Sequence, residues 1–162
     1  MDIKQILLAE VKQETASTRK IIDAIEDKHL NFKAHEKSMS LARLCGHIVE
    51  LHGWIAQGLS VDKFDLNNYK PYEPNSKQDL LNTLDQFSEQ ANNLLERFTA
   101  EDWNRAWTLT MGDYVILDSS KYMAMRSMIL NHLIHHRGQL TVYLRLLDIP
   151  VPGLYGPSAD DK

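Results

Sequence analysis

The 162-residue chain contains one cysteine, Cys45, and this scarcity removes several classes of site. A single thiol cannot form an internal disulfide, and it cannot supply the thiolates of a zinc ribbon. A transition metal bound by this chain would therefore rest on imidazole and carboxylate ligands. Cys45 itself is expected to be a small buried hydrophobic residue.

The chain also lacks a basic block, a long apolar run and a phosphate-binding glycine loop. Its formal net charge is −4 with acidic and basic residues interspersed, so the electrostatic footprint of nucleic-acid binding is missing. No apolar stretch is long enough to span a membrane, and the first residues do not begin a signal peptide. No Ser-His-Asp order or G-x-G-x-x-G pattern is evident. We expect a cytoplasmic protein that binds neither nucleic acid nor membrane.

Hydrophobic periodicity predicts an all-α four-helix bundle that forms a single domain over residues 1–162. Apolar residues recur at steps of three, four or seven in four stretches. The length suits one domain with a sizeable core. The predicted helices cover about 3–25, a segment from Ser38 or Ser40 to Gly58, a segment capped by Ser76, and a segment from about Ser119 to Leu147.

Two long connectors separate helix two from helix three and helix three from helix four. They cover residues 60–75 and 99–118. In the second connector Trp107, Leu109 and Met111 alternate with polar residues, and Gly112-Asp113 follows. This pattern is typical of a short hairpin with a type II′ turn.

Three of the seven histidines lie within five positions of the fourth predicted helix. At about 100° per residue, His132 and His136 fall in the middle of the apolar stripe, and His135 lies at its edge. Two histidines four apart on one helix face can point both rings at one ion. The spacing alone is weak evidence, because about 0.3 such pairs would arise by chance. Core histidines satisfied by a carbonyl or a carboxylate are the alternative interpretation.

A third imidazole on another helix strengthens the metal interpretation. His47 lies near the apolar stripe of the second helix, whereas His52 lies about 140° further round, on the expected outer face. His29 and His35 fall in a connector. Three nitrogen ligands facing the centre of a bundle leave a coordination position open, and they suit Zn²⁺ and Ni²⁺ equally well.

The sequence resembles the DinB family of the DinB/YfiT-like superfamily, a group of four-helix-bundle metalloenzyme candidates. The resemblance covers nearly the whole chain. It rests on the lone helix-two histidine in LCGHIVELHGW and on NHLIHHRGQLTVYLRLLDIPVPGLYGPSAD, which is similar to the family's H-x-x-x-H-R-G-Q, Y-L-R and Gly-Pro-Ser-Ala-Asp motifs. By position, the resemblance implies metal ligation by His47, His132 and His136.

The resemblance also implies a range of functions. Some superfamily members resemble thiol-dependent S-transferases that activate a low-molecular-weight thiol at the metal, and dimers are common among them. We therefore expect a metal-dependent enzyme of S-transferase or hydrolase type. The alternatives are a non-catalytic metal-binding or stress-related protein, and a plain dimeric bundle whose histidines are core residues.

Four further residues near the histidines are candidates for supporting roles. Gln139 and Tyr143 share the face of His132 and His136, so they are placed to bond a ring N–H; for Tyr143 a core aromatic with a satisfied hydroxyl is equally expected. Glu50 follows His47 by one turn, but a surface glutamate is the favoured interpretation. His135 is expected to pack beside the ligands and not to bind the ion.

The face of helix four away from the histidines predicts self-association. Four apolar residues lie there, too many for a face covered only by water. Either another helix or a second subunit is expected to cover them, and with the family resemblance they predict a homodimer. Arg137 and Arg145 are also expected on this side, outside the site. The apolar residues are Met123, Leu130, Ile134 and Leu144.

Overall fold

A computed structural model describes residues 2–161, and four long helical segments form most of its core. Ser40 Oγ accepts the backbone N–H of Arg43 at 3.2 Å, and Ser76 Oγ accepts that of Asp79 at 3.1 Å, as N-caps do. The predicted starts of the second and third helices are therefore confirmed. The first three long helices are α1 (Ile3–Asp23), α2 (Leu41–Leu59) and α3 (Lys77–Arg97).

The last long segment is helical throughout but not uniformly α-helical. It consists of α5 (Lys121–Ala124), a π-helical stretch (Met125–Leu130) and α6 (Asn131–Leu146), after a short α4 (Ala100–Asn104). Ser120 caps its first turn. Because a π turn contains about one residue more than an α turn, it displaces the buried face of everything that follows.

The prediction of an all-α bundle is wrong, because the two long connectors meet in a three-stranded sheet. The strands are β1 (Lys63–Asp65), β2 (Ala106–Met111) and β3 (Tyr114–Ser120). β2 lies in the middle, parallel to β1 and antiparallel to β3. Long connectors packed on a core must pair their backbone N–H and C=O groups, and strand pairing achieves this. The fold therefore combines helices with a mixed sheet.

The sheet is anchored to the C-terminal end of α2. The alternating residues Trp107 and Leu109 of β2 are buried. The indole Nε1–H of Trp107 donates to the carbonyl of Gly58 at 2.9 Å, and the buried Lys121 ammonium donates to that of Leu59 at 2.9 Å. These bonds satisfy carbonyls that have no partner within the helix.

The hairpin expected at Gly112-Asp113 is confirmed. Met111 pairs with Tyr114 across a two-residue loop. Gly112 has φ of 60°, whereas Asp113 is not among the residues with positive φ, as a II′ turn requires. Met111, however, is exposed.

The hydrophobic core lies between α1, α2, α3 and α6, and α2 is its central element. Fourteen of the nineteen residues of α2 are buried. It packs against α3 on one side and α6 on the other. A helix covered on several sides can bury polar residues on more than one face. No helix within residues 2–161 is long and apolar enough to cross a membrane.

Candidate metal centre

Three histidines meet where α2 packs against α6. His47 comes from the second turn of α2, and His132 and His136 come from the first two turns of α6. The Nε2 atoms of His132 and His136 are 2.8 Å apart, and those of His47 and His132 are 3.4 Å apart. The structure thus brings together the three residues predicted as ligands. Their potential ligand atoms all lie within 4.8 Å of one another, so they could hold a metal ion.

Each of the three rings has an acceptor opposite its Nδ1 atom. For His47 this is the carboxylate Oε2 of Glu50 at 2.9 Å. For His132 it is the backbone carbonyl of Met128 at 3.3 Å, and for His136 it is the side-chain oxygen of Gln139 at 2.8 Å. Carboxylate and carbonyl oxygens only accept, so His47 and His132 carry their proton on Nδ1. Gln139, which was expected to bond a ring on this face, lies at hydrogen-bond distance from Nδ1 of His136.

Protons on Nδ1 leave the Nε2 lone pairs pointing into a shared space. His47 and His132 then face each other with two lone pairs and no proton between them. A rotated Gln139 amide would allow His136 to donate from Nε2 to His132, but the lone pair of His47 would stay without a donor. A cation bound by all three nitrogens satisfies every lone pair at once, so the donor set fits a divalent metal.

Glu50 is central to this arrangement, and the prediction of a surface glutamate was wrong. Its side chain is 0% exposed. Besides His47, the carboxylate accepts from the Arg43 guanidinium at 3.2 Å and from the backbone N–H of Tyr72. Burial alone would raise the pKa of Glu50, but these bonds outweigh it and hold the pKa below its usual value. Glu50 therefore stays charged and orients His47.

The connector after β1 reaches Glu50 because α2 has a glycine beside His47. A Cβ on Gly46 would lie 2.9 Å from the carbonyl oxygen of Tyr72 and 3.0 Å from the ring of Pro74. The backbone of residues 72–74 could not approach so closely over a larger residue. Gly46 therefore allows the Tyr72 N–H to bond the carboxylate that fixes His47.

The surroundings of His132 and His136 favour their neutral forms. Burial lowers the pKa of His132, and the neighbouring His47 contributes to the same shift. Burial lowers the pKa of His136 to about 4, although its bond to Gln139 opposes the shift. Neutral rings are the form that binds metal, so these two histidines are ready to act as ligands near neutral pH.

A cavity of about 400 Å³ adjoins His136. It lies between the start of α2 with the loop before it and the second half of α6. Tyr143 forms part of the cavity wall and donates its hydroxyl to the carbonyl of Met39 at 2.9 Å. Of the two roles expected for Tyr143, it therefore has that of a core aromatic whose hydroxyl is hydrogen-bonded. The lining residues are Lys37, Ser38, Met39, Leu44, His136, Gln139, Val142 and Tyr143.

The other histidines lie outside the cluster, one of them in an unexpected place. His135 is exposed and touches the cluster only through edge contact with the ring of His136, at 5.1 Å between centroids. His29 and His35 lie in the connector before α2. His52 is on the opposite side of α2, as predicted, but it is 1% exposed and not on an outer face. It bonds Thr18 at 3.2 Å because α1 covers that side.

Arg137 lies away from the histidines, as expected, and it is buried in the interior. It is 1% exposed and pairs with Glu14 of α1. Its guanidinium also donates to the carbonyl of Glu14, to Thr18 and to the hydroxyl of Tyr155 in the C-terminal tail. The buried pair joins α1, α6 and the tail. No periodicity signal marks a buried arginine, because its partner is 123 residues away.

Comparison with known proteins agrees with this architecture. The chain is 26% identical over 152 residues to the uncharacterized protein YrdA of Bacillus subtilis, covering 91% of this chain and 85% of YrdA. A solved DinB-like protein from Bacillus cereus superposes with a TM-score of 0.72 at 25% identity, covering 91% of this chain and 95% of that one. Another from Bacillus subtilis gives 0.71 at 21% identity, covering 93% and 98%, which supports the fold alone. The DinB family model matches residues 1–162. The chain belongs to the DinB family.

Proposed function

We propose that the chain is a metal-dependent enzyme that binds one divalent ion through His47, His132 and His136. One observation carries the proposal: three Nε2 atoms converge while each Nδ1 atom faces its own acceptor. Such partners fix the tautomer and the ring orientation of metal ligands. Core histidines would also bond such acceptors, but they would not need Nε2 lone pairs that face one another without a donor.

Zinc and nickel are the proposed ions. Neutral imidazole nitrogens suit both metals, and a three-nitrogen set leaves a position for water or substrate. The lone cysteine takes no part, since Cys45 is fully buried and burial raises the pKa of its thiol.

Thiol S-transfer fits the surroundings better than hydrolysis. A divalent ion lowers the pKa of a thiol or a water molecule that it binds. Metal-dependent hydrolases of the H-E-x-x-H type add a free glutamate as general base. Both oxygens of Glu50 are already engaged by His47, Arg43 and Tyr72. A low-molecular-weight thiol, with its pKa of about 8.5, needs less help from a base than water does. The chain's own residues orient His47 and His136 and shape the adjoining cavity.

Elemental analysis tests the ligand set. Protein purified without a histidine tag is expected to bind one equivalent of zinc or nickel. Ala at His47, His132 or His136 should each reduce the stoichiometry sharply, whereas His29→Ala, the matched control in a connector, should not. Full occupancy in His132→Ala would contradict the proposal and favour a plain helical protein with core histidines.

Turnover separates an enzyme from a non-catalytic or stress-related metal-binding protein. The zinc-loaded chain is expected to speed the reaction of a small thiol with an alkylating electrophile, and the apo chain and His136→Ala are not. Equal rates for loaded and apo protein would favour the non-catalytic alternative.

We also propose a homodimer, but the apolar residues that support it differ from those that the sequence indicated. Leu130 and Leu144 of the expected outer strip are buried within the chain, and only Met123 is well exposed. Three further exposed apolar residues form a patch at the start of α1 and in α5, the helix that carries Met123. Sedimentation at micromolar concentration should give twice 18.7 kDa, and Met123→Glu should weaken the dimer. A wild-type chain that sediments only as a monomer would refute this. The patch residues are Ile3, Ile6 and Tyr122, which line one surface cavity.

A further inference from the structure

The cavity beside His136 has one charged residue in its lining. Its walls are largely apolar, from Met39, Leu44 and Val142, and its polar groups come from the loop before α2 and from α6. Lys37 lies at its edge, and this ammonium forms no ion pair within residues 2–161. No carboxylate lines the cavity, although the chain as a whole is acidic. A cavity with this lining favours a partner with an apolar body and a negative end.

The loop that carries Lys37 is held in place. The backbone N–H of Lys37 donates to Nδ1 of His35 at 3.2 Å, and that of Ser38 donates to the carbonyl of His35 at 2.9 Å. The carbonyl of Met39, two residues after Lys37, accepts a hydrogen bond from the Tyr143 hydroxyl of α6. Hydrogen bonds at both ends of this short turn therefore hold the backbone that carries Lys37 beside α6, so the Lys37 side chain starts from a fixed point at the edge of the cavity.

We propose that Lys37 selects small substrates that carry a carboxylate or another anionic group, bound in this cavity with their reactive end toward the metal centre. The proposal rests on the metal-dependent function proposed above. The volume of the cavity, about 400 Å³, suits a small molecule and not a folded partner. Lys37 acts in specificity and not in the chemical step.

The test uses the full chain loaded with Co²⁺, whose visible absorption reports ligands that enter its coordination sphere. The probes are three thiols of similar length: mercaptopropionate, mercaptopropanol and cysteamine. Because Lys37 is exposed, we expect about a fivefold preference for the anionic probe over the neutral one, and a preference against the cationic one. Lys37→Ala should abolish the preference. Lys37→Arg should retain it, and so should Lys33→Ala, an exposed lysine nearby that does not line the cavity.

The outcomes separate the two proposals. Equal affinities for the three probes in the wild-type chain, or a preference unchanged in Lys37→Ala, would refute the role of Lys37 and leave the metal centre intact. Failure to bind Co²⁺, measured as stoichiometry before any probe is added, would refute the metal centre itself and the substrate proposal with it.

Discussion

Replacing Glu50 with glutamine tests whether the buried carboxylate sets the tautomer of His47. Glutamate accepts from three donors: the ring of His47, the guanidinium of Arg43 and the backbone N–H of Tyr72. Glutamine has nearly the same shape but offers one accepting oxygen and one donating NH₂ group. In the Glu50→Gln variant at least one of the three donors must therefore face another donor at a fully buried position.

Two measurable losses follow from this mismatch. An unsatisfied buried donor costs about 1–3 kcal/mol, so the metal-free variant should lose that much stability in urea unfolding. If the NH₂ group faces His47, the ring moves its proton to Nε2 and can no longer ligate. Altered outer partners of metal ligands lower metal affinity about 10- to 100-fold, or about 1.4–2.7 kcal/mol.

The assay is competition for zinc against a chromophoric chelator, with Glu10→Gln as the matched control. Glu10 pairs with Arg126 and makes no contact with the histidines, so its change should leave zinc affinity unaltered. Wild-type zinc affinity in Glu50→Gln would refute the argument that Glu50 orients His47.

The remaining predictions concern burial and protonation. His135→Ala should weaken metal binding modestly at most, and a loss as complete as in His132→Ala would make the i,i+3 pair the true ligand pair. Glu14→Ala should cost about 3–5 kcal/mol in urea unfolding, because it leaves the Arg137 charge buried without a partner; a loss below 1 kcal/mol would contradict this. Burial, and secondarily the charge of Arg137, lowers the pKa of His52 to about 3. The unfolded chain therefore takes up a proton below about pH 6.5 that the native state refuses, and stability falls as pH falls. From pH 7 to 5, metal-free His52→Gln should lose about 2 kcal/mol less than the wild type; equal losses would refute the assignment.

Two strands of the sheet were predictable from the sequence, and the third was not. The alternation of Trp107 and Leu109 and the Gly112-Asp113 turn indicated the hairpin correctly. β1, however, is only three residues long and pairs with a strand more than forty positions away. A strand that short carries no periodicity of its own, so the connector between α2 and α3 gave no sign of joining a sheet. The four long helices were predictable because their patterns extend over several turns.

The outer strip predicted by the helical wheel failed at two residues: at Leu130, where the assumption of about 100° per residue does not hold, and at Leu144, which is buried although α6 keeps α-helical spacing. The buried residues Met125 and Leu130 are five positions apart because π turns lie between them. Leu130 was therefore expected outside and lies inside. His132 and His136 were placed correctly because both follow the π-helical stretch and keep α-helical spacing with each other.

Residues buried in pairs were the other group that sequence reasoning missed. The rarity of fully buried glutamate argued against Glu50 as an interior residue. Arg137 was expected outside the site, and nothing in the sequence indicated its burial. That rarity applies to isolated charges, and both residues have partners. The partner of Glu50 was visible one turn away at His47, so the i,i+3 spacing of a histidine and a glutamate was a usable signal. The partner of Arg137 lies on α1, at a distance that no local pattern reports.

The separation of the three histidines along the chain also has a consequence for the unfolded state. His47 and His132 are 85 positions apart. An ion held by both closes a loop of that length, and the chain-entropy relation used for disulfides gives such a closure about 4–5 kcal/mol. The segment between His47 and His132 contains the sheet, α3 and most of α2. The bonds to one ion would therefore join the two ends of a segment that makes up most of the fold. This chain has a single thiol and no disulfide. Removing the ion with a chelator would therefore destabilise it in the way that reduction destabilises a disulfide-linked protein.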